Sequence, residues 1–229
     1  MADRLAALLA EVRQLELQSG RAEGSVTLLP VTKGHPPEVA QLAVGLGLTT
    51  LGENYLQECL IKDRRLQEAG EARVRWYLLG HLQRNKARRA AATFQVVESV
   101  DSLTVARLLS QARINQPRLR VLCEVELTGL PNRTGFGSDA LREEFPELLE
   151  LEGIEVEGLM TVGDPDDPRR SFIACRELLE QLRRASGRQL PTLSMGMSND
   201  FRLGIAEGST ELRIGSLLFG ARANASVRD

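Results

Sequence analysis

A lysine ends the apolar, β-branched run Val26-Thr-Leu-Leu-Pro-Val-Thr-Lys33, and Gly34-His-Pro-Pro37 closes it. A run of that length bounded by Gly and Pro predicts a buried strand, with Pro36 and Pro37 suited to open a helix. Lys33 then stands at the carboxyl end of a strand, where an amine held in place can attack a carbonyl. Taken alone, the stretch favours a blander fate, a side chain that snorkels into solvent. Two later stretches shift that weighting. In Glu211-Leu-Arg-Ile-Gly215 the strand period puts Glu211, Arg213 and Gly215 on one face, and either that face or the one with Leu212 and Ile214 is inward. An inward arginine needs a partner, either a bound anion or ring acceptor or an interior glutamate such as Glu124 or Glu126. Met195-Gly-Met-Ser198-Asn199 and Ile214-Gly215-Ser216 offer close backbone N–H groups, hydroxyl donors and helix starts, which together suit a phosphate. Small residues at strand ends also serve plain turn geometry. An amine beside a phosphate cup is the arrangement that holds a phosphorylated aldehyde as a Schiff base.

Such groups need a scaffold that brings distant strand ends together. After a first helix, about Ala2 to Gln18, and the Ser19-Gly20 break, strand and helix signals alternate. Strands are expected at 26–33, 48–54, 73–80, 95–101, 119–128, 154–161, 192–198 and 211–215. Helices are expected at 38–47, 55–69, 83–94, 102–115 with Ser102 as cap, 140–151, 167–186 and 200–207. Eight alternations over 229 residues predict a (β/α)8 barrel with an extra N-terminal helix. The structural alternative is a doubly wound open sheet. The barrel is preferred because no Gly-x-Gly-x-x-Gly follows the first strand and no linker divides the chain, so residues 1–229 read as a single domain. In a barrel, Leu29, Val31 and Lys33 share the inward face and Lys33 tops the lumen.

Composition narrows the classes. The chain is 42% apolar and 26% charged, enough for a large core. A net charge of -2 gives no positive field for nucleic acid or a membrane surface. Asp3, Arg4, Glu11 and Arg13 interrupt the first helix, which excludes a signal peptide, and no stretch is long enough to span a bilayer. Cys59, Cys123 and Cys175 lack Cys-x-x-Cys spacing and read as reduced core thiols of a cytoplasmic protein, with no metal site. The basic run Arg84, Lys86, Arg88 and Arg89 reads as a solvated helix face, and Asp164-Pro-Asp-Asp-Pro168 as a turn and helix cap. His35 and His81 fall near strand ends without a carboxylate partner in sequence, and Trp76 reads as packing.

One resemblance covers the chain from the first strand to the C-terminus. Val31-Thr-Lys33, Gly52-Glu-Asn-Tyr-Leu-Gln-Glu58, Leu79-Gly-His-Leu-Gln-Arg-Asn-Lys86, Ser99-Val-Asp101 and Gly158-Leu-Met160 occur in order. Leu193-Ser-Met-Gly-Met-Ser198 with Asp200, Gly208-Ser-Thr-Glu-Leu-Arg-Ile-Gly215 and Phe219-Gly-Ala-Arg222 follow. Together they resemble the YggS/PROSC group of pyridoxal-phosphate-binding proteins, whose fold is similar to the N-terminal barrel of alanine racemase. The resemblance implies that Lys33 binds pyridoxal 5′-phosphate covalently and that Asn54 lies on the cofactor side. It also implies that Ser198, Gly215 and Ser216 hold the phosphate, with Thr210 as a further candidate, and that Arg213 faces the pyridine nitrogen. The family has Trp-His where this chain has Trp76-Tyr77. Asn132-Arg-Thr-Gly135 is similar to a racemase loop whose arginine approaches the cofactor's phenolic oxygen, which makes Arg133 a site candidate.

An arginine against the ring nitrogen leaves that nitrogen unprotonated and the ring a weak electron sink, so transamination is not expected. Racemisation needs acid–base groups on both faces of the substrate, and Lys33 serves only one. The chain ends soon after the eighth strand, without the further domain that supplies the opposite group in racemases. The expected function is therefore pyridoxal phosphate homeostasis, a monomer that carries the cofactor, with apo forms of cofactor-dependent enzymes as its partners. The alternatives are a small amino-acid racemase and a barrel enzyme that forms a lysine Schiff base with a sugar phosphate.

Overall fold

The computed structural model describes residues 1–71 and 73–221. Helix α1 (Ala2–Gln18) precedes β1 (Thr27–Pro30), α2 (Pro37–Gly45), β2 (Thr50–Glu53), α3 (Leu56–Glu68), β3 (Arg75–Leu78) and α4 (Ala87–Thr93). Next come β4 (Val96–Val100), α5 (Leu103–Ala112), β5 (Leu119–Glu124), α6 (Ser138–Glu150), β6 (Ile154–Met160) and α7 (Pro168–Ser186). The described chain closes with β7 (Thr192–Met197), α8 (Phe201–Ala206), β8 (Glu211–Ile214) and α9 (Ser216–Phe219). The eight strands are parallel, in the order β1-β8-β7-β6-β5-β4-β3-β2, and an isolated parallel bridge between Val31 and Gly52 joins the two ends. This is the (β/α)8 barrel that the alternation predicts. The open sheet is excluded because β1 and β2 meet.

Period-2 alternation explains both layers. Leu51, Trp76, Leu78, Val97, Val121, Cys123, Leu159, Leu193, Met195, Leu212 and Ile214 point outward into one continuous core beneath the helices. Leu29, Tyr77 and Val96 form a small separate cluster, the apolar plug of the lumen. Burying each large apolar side chain contributes about 1.5–3 kcal/mol, so the outer layer supplies most of the drive to fold. The cysteines lie free and buried. Helix α1 is tied to the barrel through Glu16, fully buried, which accepts from the N–H groups of Gly24 (2.9 Å) and Val26 (2.6 Å) and from Ser25 Oγ (3.2 Å).

The elements are shorter than the apolar runs suggest. The first strand ends at Pro30, the third covers only Arg75–Leu78, and the fourth helix begins as a 3₁₀ turn over Arg84–Lys86. Apolar runs mark burial, and buried chain continues past the ladder into the mouth loops. The sixth helix starts at Ser138, two residues early, and α9 follows the eighth strand without having been anticipated. Arg222, in the last of the quoted stretches, lies outside the described residues.

Candidate functional site

The strand ends set the site. On β8, Leu212 and Ile214 join the outer core, which turns Glu211 and Arg213 into the lumen. Arg213 is 5% exposed. Its Nη1 donates to Ser194 Oγ (2.7 Å) and its Nη2 to the Thr161 carbonyl (2.7 Å), while Ser194 Oγ donates to Glu98 Oε2 (2.7 Å). Neither glutamate considered from the sequence is its hydrogen-bond partner. Glu124 shares the lumen and feels the charge of Arg213, whereas Glu126 turns to its own loop and accepts from the N–H groups of Thr128 and Gly129.

Burial dominates the lumen carboxyls. It pushes Glu98 above the usual range against the pull of Arg213, and it pushes Glu211 well above that range with Glu98 adding repulsion. Burial likewise raises Glu124 to about 7, helped by Asp101 and opposed by Arg213, Thr134 and Arg133. The floor of the mouth is thus an arginine set among carboxyls whose ionisation burial opposes.

Above that floor opens a cavity of about 490 Å³ lined by Lys33, Asn54, Ser198, Arg213, Gly215 and Ser216. Six of the eight site candidates named from the sequence meet there, from the ends of β1, β2, β7 and β8. Arg133 lines it too, as does His35, whose ring packs edge-on against Phe219 at 5.7 Å. Lys33 sits in the loop two residues past the bridging Val31 rather than on the strand itself. A Cβ on Gly215 would lie 3.1 Å from the Val31 carbonyl, so glycine allows the β8 end to press against β1. Gly196 adopts φ +96°, and a Cβ there would meet Leu212 and Phe201, so β7 can turn into its loop only with glycine. Ser198 Oγ then accepts from the N–H of Leu217 (3.3 Å), joining the two anion-suited loops. Asn54 Oδ1 is buried and has no hydrogen-bond partner among the described residues. Leaving such an atom unpaired costs about 1–3 kcal/mol, which a donor on a ligand would offset.

Thr210 is a correction. It stands at the amino end of β8, where its hydroxyl accepts from the N–H of Leu193 (2.8 Å), at the opposite end of the barrel from the cavity. Tyr77 plugs the lumen next to Leu29 and Val96, and Trp76 faces outward with its indole N–H donating to Asp63 Oδ1 (2.9 Å). His81 has the carboxylate partner that its sequence neighbours did not supply: Nδ1 lies 2.7 Å from Asp101 Oδ2, across two strand ends. Asp164 accepts from the N–H of Asp166, and Asp167 caps α7 through the N–H of Arg170. In the basic run, Arg84, Arg88 and Arg89 are exposed.

The sequence contains three lysines, at 33, 62 and 86. Lys62 is buried on α3 and contacts Glu53, the Thr32 carbonyl and Glu58. Lys86 lines a separate cavity of about 250 Å³. Among the described residues, Lys33 is the lysine that reaches the main cavity. The polar set of buried Lys62, Glu53, Ser194 and Glu98 with half-buried Glu58 was missed from the sequence. One signal was there, since Glu58 and Lys62 stand four residues apart on a helix.

A family model for the alanine racemase N-terminal domain matches residues 4–223. The pyridoxal phosphate homeostasis protein of Aquifex aeolicus is 36% identical, the alignment covering 96% of this chain and 97% of the relative. Its namesake from Pseudomonas aeruginosa is 37% identical over 97% and 96% of the two chains. Among solved structures, PipY of Synechococcus elongatus with PLP bound is 33% identical with a TM-score of 0.83, covering 96% of this chain and 99% of that one. An alanine racemase from Clostridium difficile has a TM-score of 0.71 at 18% identity, over 99% of this chain and 59% of its own, which is a likeness of fold.

Proposed function

The chain belongs to the alanine racemase N-terminal domain family, and on that footing we propose that it is a pyridoxal 5′-phosphate homeostasis protein holding the cofactor at Lys33 without strong catalysis. Relatives named for that role align from end to end and support the reading. The residues fit the group. Ser198, Gly215 and Ser216 would hold the phosphate, Arg213 would meet the ring nitrogen, and the unpartnered Asn54 Oδ1 would take a donor. When bound, the cofactor supplies an aldehyde that condenses with amines and a ring that withdraws electrons.

Arg213 donates hydrogen bonds and accepts none, so a ring nitrogen against it stays unprotonated and the ring withdraws electrons weakly. Its two hydrogen bonds to Ser194 and Thr161 hold it in place at the floor of the cavity. Lys33 provides one acid–base group, which suits binding and exchange of an amine better than two-sided proton transfer. We take residues 1–229 as one cytoplasmic, monomeric unit that passes its cofactor to apo enzymes. Among the described residues no helix is long and apolar enough to cross a membrane.

The observation that carries the proposal is the convergence of six residues from four separate strand ends on one cavity. The test loads the purified protein with pyridoxal phosphate, reduces it with borohydride and maps the labelled peptide by mass spectrometry. Label is expected on Lys33 and absent from Lys33→Ala. Equal labelling of the variant would move the attachment elsewhere. In parallel, free amino acids are incubated with the loaded protein and read by chiral chromatography. Racemisation at ordinary enzyme rates, about 1 per second or more, would replace the carrier with a racemase.

A further inference from the structure

The ring of strands is thinnest where Lys33 lies. Seven neighbouring pairs share strand ladders, but among the described residues no ladder joins β1 and β2, whose backbones meet at the Val31–Gly52 bridge and where the N–H of Thr32 donates to the Gly52 carbonyl (3.0 Å). Immediately behind that seam is a buried ionic cluster. Lys62 Nζ, on a side chain 3% exposed, donates to Glu53 Oε1 and to the Thr32 carbonyl (2.7 Å), and lies 3.6 Å from Glu58 Oε2. Glu53 Oε1 also accepts from Thr32 Oγ1 (2.7 Å), and Glu53 Oε2 from the N–H of Asn54 (3.2 Å). Glu58 Oε2 accepts from the N–H of Gly34 (2.8 Å). Both chain neighbours of Lys33, and Asn54 across the cavity, are therefore fastened to one network.

We propose that Lys62 is a positioning residue for the site: with Glu53 and Glu58 it staples the β1–β2 seam and fixes the loop that aims Lys33 into the cavity. The inference rests on the reading that Lys33 holds the cofactor. A buried ion pair is a poor way to gain stability, because desolvating the charges offsets most of their attraction and an apolar replacement often does as well. What this cluster supplies is position. The Lys33 loop has no ladder to hold it, and an amine on a flexible stem in an unpinned loop would lose ordering entropy with every bond it formed. Lys62 Nζ is taken up by Glu53, Glu58 and the Thr32 carbonyl and does not line the cavity, so the two lysines near the mouth divide the roles of anchor and reactive amine.

Three variants test this: Lys62→Met, the double variant Lys62→Met/Glu53→Gln, and Glu58→Gln. The double variant leaves no unpaired buried charge from the Lys62–Glu53 pair but deprives the Thr32 carbonyl of its ammonium donor. Glu58→Gln is mild, since Lys62 keeps Glu53. Each is measured by urea unfolding, by equilibrium retention of pyridoxal phosphate, by the visible absorption band of the lysine-bound cofactor per mole of protein, and by amide exchange at Thr32 and Gly34 in the cofactor-free chain. Lys62→Met and the double variant are expected to weaken retention and diminish the band about tenfold, and Glu58→Gln several-fold. Gly34 should lose its exchange protection in all three. Wild-type retention with wild-type exchange at Gly34, in a double variant or Glu58→Gln that unfolds at the wild-type midpoint, would overturn the proposal. Should Lys33→Ala still take up label at full yield, the attachment reading fails, and exchange at Gly34 alone then decides whether Lys62 fixes the loop.

Discussion

Replacing Glu124 with glutamine should remove a pH dependence that the lumen builds into folding. The carboxyl sits at the end of β5, buried, facing Asp101 from the end of β4, Arg213 from β8, and Arg133 and Thr134 from the loop that follows. Burial and Asp101 outweigh the other three and raise it to about 7 from 4.5. A folded state that holds the proton more tightly than the unfolded chain is most stable at low pH, and its advantage is lost as pH rises between those two values. At about 1.4 kcal/mol per tenfold change in proton affinity, Glu124 removes about 2 kcal/mol between pH 5 and 7, and about 3 kcal/mol once ionised beyond pH 8. The buried Glu98 and Glu211 add slope of the same sign to the wild type. The difference between wild type and Glu124→Gln isolates the one group, apart from a smaller change in Glu98, which feels its charge. Urea unfolding across pH 5 to 8 reads the effect, and carbon NMR of the carboxyl gives the titration directly. Parallel stability curves would refute the reasoning, because they would mean that Arg213 outweighs burial and Glu124 is ionised throughout.

Two other outcomes follow from single contacts. Glu16→Ala strips the acceptor from two backbone N–H groups and one hydroxyl at the entry to β1, and should lower unfolding free energy by about 3 kcal/mol; a loss under about 0.5 kcal/mol would show the turn satisfied without it. Gly215→Val puts a side chain where the Val31 carbonyl leaves 3.1 Å, so the cup must open; retention of pyridoxal phosphate should fall about tenfold while that of pyridoxal, which lacks the phosphate, stays near wild type, and equal losses would place the damage outside the cup.

Some of this was legible one residue at a time. Strand and helix periods alternate eight times, which narrows the fold to a barrel or a doubly wound sheet, because parallel strands joined by helices have few ways to bury both faces, and the bridge between the first two strands decides for the barrel. The lysine run, the two glycine–serine loops and Arg213 were legible because strand ends of a barrel gather at one mouth, so chemistry at several ends has to meet. Elsewhere local pattern misled. The hydroxyl of Thr210 looked suited to an anion, but it sits at the wrong end of its strand. His81 looked unpartnered because its carboxylate comes from another strand.

Period 2 says that Glu211 and Arg213 share a face but leaves open which way the face points. The outer core decides that by claiming Leu212 and Ile214. Likewise, a helix period assigns Lys62 to some face of α3, and only the packing of α3 against a seam with a single bridge makes that face the interior. Side-chain chemistry and spacing are local properties of the chain, and they determined the candidate residues and the class of fold. Which charges face each other, and therefore which protons they hold, depends on contacts between strands tens of residues apart, and those exist only once the ring has closed.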